Sequence, residues 1–121
     1  MDFQLDNNLP IWPQLLARMT ERILTRRYPP GSKLPSVREL ALEAGVNPNT
    51  MQRALSQLEA NGLVTTNRTA GRVVTEDERA LETVRERLAQ ERIAQYFAGM
   101  AKIGYDEQAA AALLAQRKER E

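Results

Sequence analysis

The chain has 121 residues, a hydrophobic content of 42% and a net charge of +1, which suits one modest core. No apolar run is long enough to span a membrane, and no signal-peptide pattern opens the sequence. His and Cys are absent, which excludes Ser-His and Cys-His nucleophiles, the usual zinc sites and disulfides. With no Gly-rich phosphate loop either, we expect no catalytic residue, no metal and no cofactor.

The first predicted helix runs from about Ile11 to Arg27. Its apolar residues recur at helical spacing and form one line, Ile11, Leu15, Met19 and Ile23. Trp12 and Leu16 flank this line. We interpret Trp12 as core or dimer-contact packing, with an aromatic element of a site as the alternative. The sequence Tyr28-Pro29-Pro30-Gly31 then breaks the helix.

A second, shorter helix begins at a capping box. Ser36 and Glu39 have the S-x-x-E spacing in which each side chain accepts a backbone N–H of the other. Gly45 suits the left-handed residue that ends such a helix. Its apolar residues fall on one face at helical spacing, namely Val37, Leu40, Ala41 and Ala44.

A third helix follows directly after this glycine turn. Asn47 is a good N-cap and Pro48 suits the first helical position, while Gly62 ends the helix and Leu63 makes the following apolar contact. The predicted buried stripe is Met51, Ala54, Leu55 and Leu58. Two short helices with this tight turn are typical of a helix-turn-helix, whose second helix enters the DNA major groove.

The opposite face of the third helix carries a polar row, at positions i, i+3, i+4 and i+7, of Asn49, Gln52, Arg53 and Ser56. All four side chains can hydrogen-bond base edges or phosphates. Any amphipathic helix has a polar face, but this row has no acid. Arg38 stands where the helix dipole disfavours a cation by roughly 0.3–1 kcal/mol. A phosphate partner would explain it, and plain solvation is the alternative.

A β-hairpin is predicted next. Its strands are the β-prone runs Leu63–Thr66 and Arg72–Thr75, joined by a turn over Asn67–Gly71. The charges of the turn region are Arg68 and Arg72, both positive. After a helix-turn-helix, such a hairpin indicates a wing beside the DNA backbone or minor groove, with an ordinary solvated hairpin as the alternative.

Two helices are predicted after the hairpin. Thr75-Glu76-Asp77-Glu78 forms a second capping box, and the helix continues to about Lys102. Gly104 breaks it and Asp106 caps a last helix over Ala109–Leu114. The charged end, Gln116–Glu121, is expected to fray.

The apolar residues of these helices exceed what one subunit can cover. A two-fold homodimer is the commonest way to bury such a surface, so we expect one. Its contacts are assigned to Leu81, Val84, Leu88, Ile93, Tyr96, Phe97 and Met100.

Charge is distributed unevenly between the two parts of the chain. Residues 1–75 carry nine Lys/Arg against six Asp/Glu, a net +3, whereas residues 76–121 carry eight against ten, a net −2. The positive excess therefore lies in the part assigned to DNA.

The clustered motifs resemble the DNA-binding domain of GntR-family bacterial transcription regulators. The resemblance covers about Leu9 to Thr75 and rests on Pro10-Ile11-Trp12, Pro35–Ala41, Gly45–Met51, Arg53-Ala54-Leu55, Leu58-Glu59 and Gly62-Leu63-Val64. The short remainder is similar to the YtrA-like subgroup. The family implies a bacterial cytoplasmic location and DNA contacts by Arg38, Asn49, Thr50, Gln52, Arg53 and the wing around Gly71. Thr69, Val73 and Gln52 depart from common choices at their positions.

The sequence thus predicts a mainly α fold with a small β-hairpin. Residues 1–75 form a winged helix-turn-helix and residues 76–121 a two-helix dimerisation region. The expected function is that of a transcriptional repressor that binds an inverted repeat of double-stranded DNA as a homodimer, without a membrane. The sequence names no small-molecule effector. The full set of DNA-binding candidates is Arg38, Asn47, Asn49, Thr50, Gln52, Arg53, Ser56, Arg68, Gly71 and Arg72. A protein-docking module is the alternative, because winged helices also serve that purpose.

Overall fold

The computed structural model describes residues 3–120, with side chains up to residue 118. Its elements are α1 (Ile11–Leu24), α2 (Val37–Ala44), α3 (Pro48–Ala60), β1 (Val64–Asn67), β2 (Gly71–Val74), α4 (Glu78–Ala101) and α5 (Glu107–Arg120). The predicted fold class, mainly helical with one hairpin, is confirmed. The chain divides into two compact units, Met1–Glu82 and Thr83–Glu121, called here the N-terminal and C-terminal units.

The core of the N-terminal unit lies between three helices. α1 and α2 both pack against α3, and the predicted apolar stripes point inward. The buried side chains of these helices are Leu15, Met19, Ile23, Leu40, Ala41, Met51, Ala54, Leu55 and Leu58. Burying one large aliphatic side chain contributes about 1.5–3 kcal/mol, so these stripes hold the three helices together.

The joints of the helix-turn-helix form as predicted. The Ser36 hydroxyl accepts the Glu39 N–H at 3.1 Å, and the Glu39 carboxylate accepts the Ser36 N–H at 3.1 Å. Gly45 takes a left-handed φ of 70°. The Asn47 side chain accepts the N–H of Asn49 at 2.7 Å and so caps α3. Local side-chain chemistry therefore fixes the angle at which α3 leaves the turn.

α1 ends at Leu24, earlier than the predicted Arg27. Arg26 adopts a left-handed φ of 64°, and the N–H of Arg27 returns to the carbonyl of Arg22 at 2.9 Å. This is the hydrogen bond of a Schellman ending with arginine in the glycine position. The prediction was wrong because a left-handed arginine costs roughly 1–2 kcal/mol and no local signal announces it. The Arg26 guanidinium is held by Glu78 at 2.8 Å.

The hairpin pairs β1 with β2 in antiparallel register, with Val64 opposite Val74. The segment before α2 lies along the other edge of β2. Gly31 donates to the Val74 carbonyl, Val74 to the Ser32 carbonyl and Leu34 to the Arg72 carbonyl, each at 2.9 Å. The sequence did not predict this third line of pairing, which ties the hairpin to the beginning of α2.

α4 begins with a different cap from the predicted one. Asp77, not Thr75, supplies the capping oxygen, which accepts the N–H groups of Arg79 at 3.0 Å and Ala80 at 3.2 Å. The Thr75 hydroxyl instead accepts the N–H of Asp77 at 3.1 Å. Aspartate is at least as good an N-cap as threonine, so the helix begins later than the capping box required. Its end at Ala101 agrees with the prediction.

α5 is longer than predicted. The Asp106 carboxylate caps it as expected, by accepting the N–H of Ala109 at 2.8 Å. The helix then continues through Arg120 and does not end near Leu114. Gln, Arg, Lys and Glu in this segment are all strong helix formers, which favours the longer helix. Glu121 lies outside the described residues.

One tyrosine joins the helices of the C-terminal unit. The Tyr96 hydroxyl on α4 donates to the Ala110 carbonyl on α5 at 2.7 Å. Its ring meets Phe97 edge to face, with centroids 5.2 Å apart. Ala110 is fully buried, so the two helices approach closely at this point.

Candidate nucleic-acid interface

The exposed row of α3 is present as predicted. The buried stripe faces the core, and the opposite side presents Asn49, Gln52, Arg53 and Ser56, all exposed. The Gln52 amide donates to the Ser56 hydroxyl at 3.3 Å, which leaves its carbonyl oxygen pointing to solvent as an acceptor. Thr50 is half-buried beside the row, and Asn47 is engaged as the N-cap.

The one acid near this row is turned away from its open end. Glu59 accepts a hydrogen bond from the Thr66 hydroxyl at 2.7 Å and lies 3.7 Å from the Arg72 guanidinium. It therefore links the C-terminal end of α3 to the hairpin. The first two turns of α3 present no carboxylate to an approaching polyanion.

Arg53 lies over an aromatic ring of another helix. Its guanidinium carbon is 4.4 Å from the centroid of the Trp12 ring. At this distance the ring face attracts the cation without using any N–H donor. Trp12 is half-buried at the start of α1, so it belongs both to the packing of α1 and to the surroundings of the α3 row.

Arg38 lies in the first turn of α2 and is exposed. The hydrogen bonds that Ser36 gives to the Glu39 carboxylate, first through its backbone N–H, hold the pKa of Glu39 below its ordinary value. Glu39 therefore remains ionised as part of the cap. Its negative charge interacts favourably with the N-terminal end of the helix dipole. Arg38 has no such partner among the described residues.

The tip of the hairpin is ordered by one asparagine. The side-chain Oδ1 of Asn67 accepts the Thr69 N–H at 2.9 Å and the Ala70 N–H at 3.2 Å. Gly71 has a φ of 83°, which only glycine adopts at little cost. Arg68 stands exposed at this tip.

The arginines of residues 3–75 fall into two groups. One group lies beside carboxylates, in the pairs Arg18–Glu21, Arg22–Glu43, Arg26–Glu78, Arg27–Glu43 and Arg72–Glu59. The other group has no hydrogen bond or ion pair to a described carboxylate and comprises Arg38, Arg53 and Arg68, all exposed. All three were DNA-contact candidates from the sequence. Arg72 was a candidate too, but its side chain is only 18% exposed and faces Glu59.

Arg22 shows what a structural arginine looks like in this fold. It is buried, with its guanidinium 4.0 Å above the Phe3 ring and 2.6 Å from Glu43. Burial alone would lower its pKa, but hydrogen bonds to Glu43 and Tyr28 raise the pKa above its ordinary value. The Arg22 hydrogen bond likewise holds the pKa of Glu43 below its ordinary value. This pair fastens α2 to α1.

A groove of about 340 Å³ is lined by residues 33–37 and by residues 69–72 of the hairpin. Its lining includes Lys33 and Arg72, so it favours an anionic group. No group of three or more His, Cys, Asp or Glu side chains in residues 3–118 is placed to hold a metal ion. No described helix is long and apolar enough to cross a membrane.

The candidate dimer residues divide by exposure. Leu81 and Val84 are buried within the single chain at 2% and 5% exposure. Leu88, Tyr96, Phe97 and Met100 are half-buried. Ile93 is 48% exposed. The C-terminal unit also exposes large apolar side chains that the sequence did not single out, namely Ile103, Tyr105 and Leu114.

Three features of the site region were not found from the sequence. They are the Trp12–Arg53 stack, the pairing of residues 31–34 with β2, and the burial of Phe3 over Arg22. Each joins residues far apart in the chain. Phe3 is the single aromatic residue among residues 1–10, and this was the only available signal for it.

The three packed helices, the exposed α3 row and the attached hairpin constitute a winged helix-turn-helix, a DNA-binding class of fold. Residues 13–74 match the family described as bacterial regulatory proteins, gntR family. The chain belongs to the GntR family and is a DNA-binding transcriptional regulator, not an enzyme.

Two Bacillus subtilis proteins are similar over more than the winged domain. The uncharacterized HTH-type transcriptional regulator YhcF is 35% identical over 104 residues, which cover 86% of each chain. The HTH-type transcriptional repressor YtrA is 36% identical over 100 residues, covering 78% of this chain and 77% of YtrA. The expected resemblance to the YtrA-like subgroup is confirmed at this level.

Solved structures give the same picture. A GntR family transcriptional regulator from Listeria monocytogenes is 34% identical with a TM-score of 0.83, and the match covers 93% of this chain and 98% of that one. The DNA-binding domain of AraR in complex with operator ORE1 is 26% identical with a TM-score of 0.53, covering 59% of this chain and 89% of that one.

Proposed function

We propose that this protein is a cytoplasmic transcriptional repressor that binds an inverted-repeat operator as a homodimer. The observation that carries the proposal is the division of the arginines. Arg38, Arg53 and Arg68 lie on α2, α3 and the hairpin tip without carboxylate partners among the described residues, whereas the other arginines of residues 3–75 lie beside carboxylates. Exposed guanidiniums without counter-charges suit a polyanion.

The roles of the individual residues follow from their chemistry. Arg53 and Gln52 on α3 read base edges, since a guanidinium pairs bidentately with guanine and an amide with adenine. Asn49, Thr50 and Ser56 complete the contact surface of α3, and Asn47 acts chiefly by capping it. Arg38 and Arg68 bind phosphates, and Gly71 lets the wing approach the duplex. Arg72 serves mainly to hold the wing against Glu59.

Dimerisation is assigned to the C-terminal unit. Ile93 on α4 and Ile103 after it are 48% and 71% exposed, and a second subunit that packs on this unit removes their apolar surface from water. A two-fold axis then places one α3 in each of two major grooves, which requires half-sites roughly one helical turn, about 10 bp, apart. YtrA is named a repressor and the DNA-binding domain of AraR binds an operator, which supports repression through operator binding.

The test is selection of bound duplexes from a random pool with the full chain, followed by sequencing. We expect an inverted repeat with half-sites about 10 bp apart. A docking module would select no motif, and a single half-site or a direct repeat would refute the two-fold arrangement. In transcription from a promoter that overlaps the selected site, added protein should lower the amount of transcript; an increase would show an activator.

The surface itself is tested with matched arginine variants. Arg38→Ala and Arg53→Ala should weaken binding to the selected operator, whereas Arg18→Ala, which removes an ion-paired arginine of α1, should not. Wild-type affinity in both interface variants, with normal circular dichroism, would mean that DNA binds another surface.

A further inference from the structure

Trp12 is placed to do more than pack. It is the second residue of α1, outside the helix-turn-helix, and its ring face lies under the guanidinium of Arg53 at 4.4 Å. Ile11 and Trp12 are half-buried while Leu15 of the same helix is fully buried. The indole is therefore fixed to the core through α1 and still reaches the edge of the α3 surface.

The stack restricts an otherwise flexible side chain. An exposed arginine has several rotatable bonds and loses up to about 2 kcal/mol of rotamer entropy when it is ordered on a ligand. A guanidinium centred over a ring face keeps its five N–H donors available to a ligand, because the ring attracts the cation without using a donor. The position of the Arg53 guanidinium is then restricted before a ligand arrives.

We propose that Trp12 is a positioning residue for Arg53, which holds the guanidinium so that its N–H edge meets a base pair. This inference rests on the proposed DNA-binding function. It makes α1 a contributor to base selection, although α1 itself does not enter the groove. Arg38 and Arg68 have no ring contact within the described residues, so this effect belongs to Arg53 alone.

The contact itself is tested without DNA. Trp12 is the only tryptophan of the chain, so its fluorescence reports on this contact directly. Replacing Arg53 by Ala uncovers one face of the indole, and quenching by acrylamide should rise. Arg18→Ala on the same helix as Trp12 is the matched control and should leave quenching unchanged. Equal quenching in wild-type protein and Arg53→Ala would show that the stack does not persist in solution.

The functional role is tested by a double-mutant cycle on the selected operator. Trp12→Leu keeps apolar bulk and removes the π-face. A cation–π contact at an exposed site corresponds to about a two- to fivefold change in affinity. We expect Trp12→Leu to weaken operator binding by that factor in the wild-type background and to have no effect in Arg53→Ala. It should also relax preference at the base pair that Arg53→Ala relaxes.

Conservative replacement separates positioning from packing. Trp12→Phe retains a ring and should recover most of the affinity, and urea unfolding of each variant shows that the winged domain remains folded. An equal loss from Trp12→Leu in both backgrounds, or no loss in either, would overturn the positioning role while leaving operator binding by the wild-type protein intact. A wild-type protein that selects no operator would refute the function and this role together, even if the quenching result stands.

Discussion

The two compact units differ in how far their apolar side chains are buried. In the described chain, the buried hydrophobic residues lie almost all in the N-terminal unit, and only Val84 and Ala110 are buried in the C-terminal unit. Ile93, Ile103 and Leu114 remain 48%, 71% and 48% exposed. Helical apolar spacing therefore leads to a closed core in one unit and to an open surface in the other. Under the proposed function, a second subunit covers this open surface.

The charges show the complementary difference within the N-terminal unit. Where its arginines hold the fold together, a carboxylate accompanies them, as Glu43 accompanies Arg22 at 2.6 Å. Where they face solvent on the helix-turn-helix and wing, no carboxylate of the described residues does. Under the proposed function, the exposed apolar area of the C-terminal unit contacts a second subunit, and the unpaired positive charge of the N-terminal unit contacts DNA.

The largest effect should come from charging the open apolar surface. Ile93→Asp places a carboxylate on it, and we expect monomers in sedimentation. Because linked half-sites gain roughly 100-fold or more in avidity, operator affinity should fall by about that factor. Gln95→Asp adds the same charge to the same helix about 200° away around its axis and should remain a dimer. A tight dimer in Ile93→Asp would place the interface elsewhere.

The next effect compares an unpaired arginine with a paired one. Arg53→Ala should cost about 1–3 kcal/mol per half-site and relax preference at one base pair if the guanidinium is bidentate to guanine. Arg18→Ala, whose guanidinium is 2.8 Å from Glu21, should leave operator affinity unchanged. Titrations on single-base variants of the operator measure both. An even loss across all variants, with a smaller salt slope, would assign Arg53 to phosphate.

The third prediction concerns the contribution of the Arg22–Glu43 pair to the stability of the N-terminal unit. Glu43→Gln leaves the buried Arg22 without its carboxylate, and it should lower the free energy of unfolding by about 1 kcal/mol, because Glu43 is partly exposed and screened by solvent. Urea unfolding measures the loss. Glu21→Gln, in an i,i+3 surface pair with Arg18, should cost less. Equal losses would show that the Arg22 pair has no special role.

The Arg22–Glu43 pair also predicts that the free energy of unfolding depends on pH. The pKa of Glu43 in the folded protein lies below its ordinary value of 4.5, first because of the hydrogen bond from Arg22. The unfolded chain therefore takes up the proton at a higher pH than the folded protein does. This stabilisation is complete above about pH 4.5 and is lost as the pH falls through the lower folded pKa. Glu43→Gln should remove that part of the acid destabilisation, and an unchanged acid limb would contradict the assignment.

The smallest effect distinguishes the two arginines of the wing. Arg68→Ala should lower affinity a few-fold and evenly across sequences, and it should reduce the salt slope by about one unit for each phosphate that Arg68 neutralises. Arg72→Ala should instead loosen the wing, since its guanidinium lies 3.7 Å from Glu59. Binding measured over a series of salt concentrations separates them. The reverse result would exchange their roles.

The parts of the fold that the sequence predicted well are those specified by local chemistry. Ser36 with Glu39, Asn47 with Pro48, and Gly45 each mark a helix boundary within a few residues. The exposed row of α3 follows from helical periodicity alone. Two helix boundaries were predicted wrongly, also because of local chemistry. Asp77 caps α4 in place of Thr75, and Arg26 takes a conformation that glycine usually takes.

The remaining features depend on contacts between distant residues. Periodicity places Trp12 and Arg53 on their own helices, but only the packing of α1 on α3 brings them together. It likewise could not show that Arg72 faces Glu59 while Arg68 does not, since both are basic residues of one hairpin. Sequence reasoning therefore identified the candidate surfaces of α3 and the hairpin, but not which of their arginines are unpaired.

The pairing of Val74 with Gly31 and Ser32 has a consequence for synthesis of the chain. On the ribosome, α1 to α3 can pack before β2 has been made, so the strand edge before α2 waits without a partner. Closing a long loop is slow relative to local helix formation, and an open edge can pair with another nascent chain. Pro29 and Pro30 stand directly ahead of this edge and lack the N–H that such pairing needs. They shorten the strand edge with which a neighbouring nascent chain can pair.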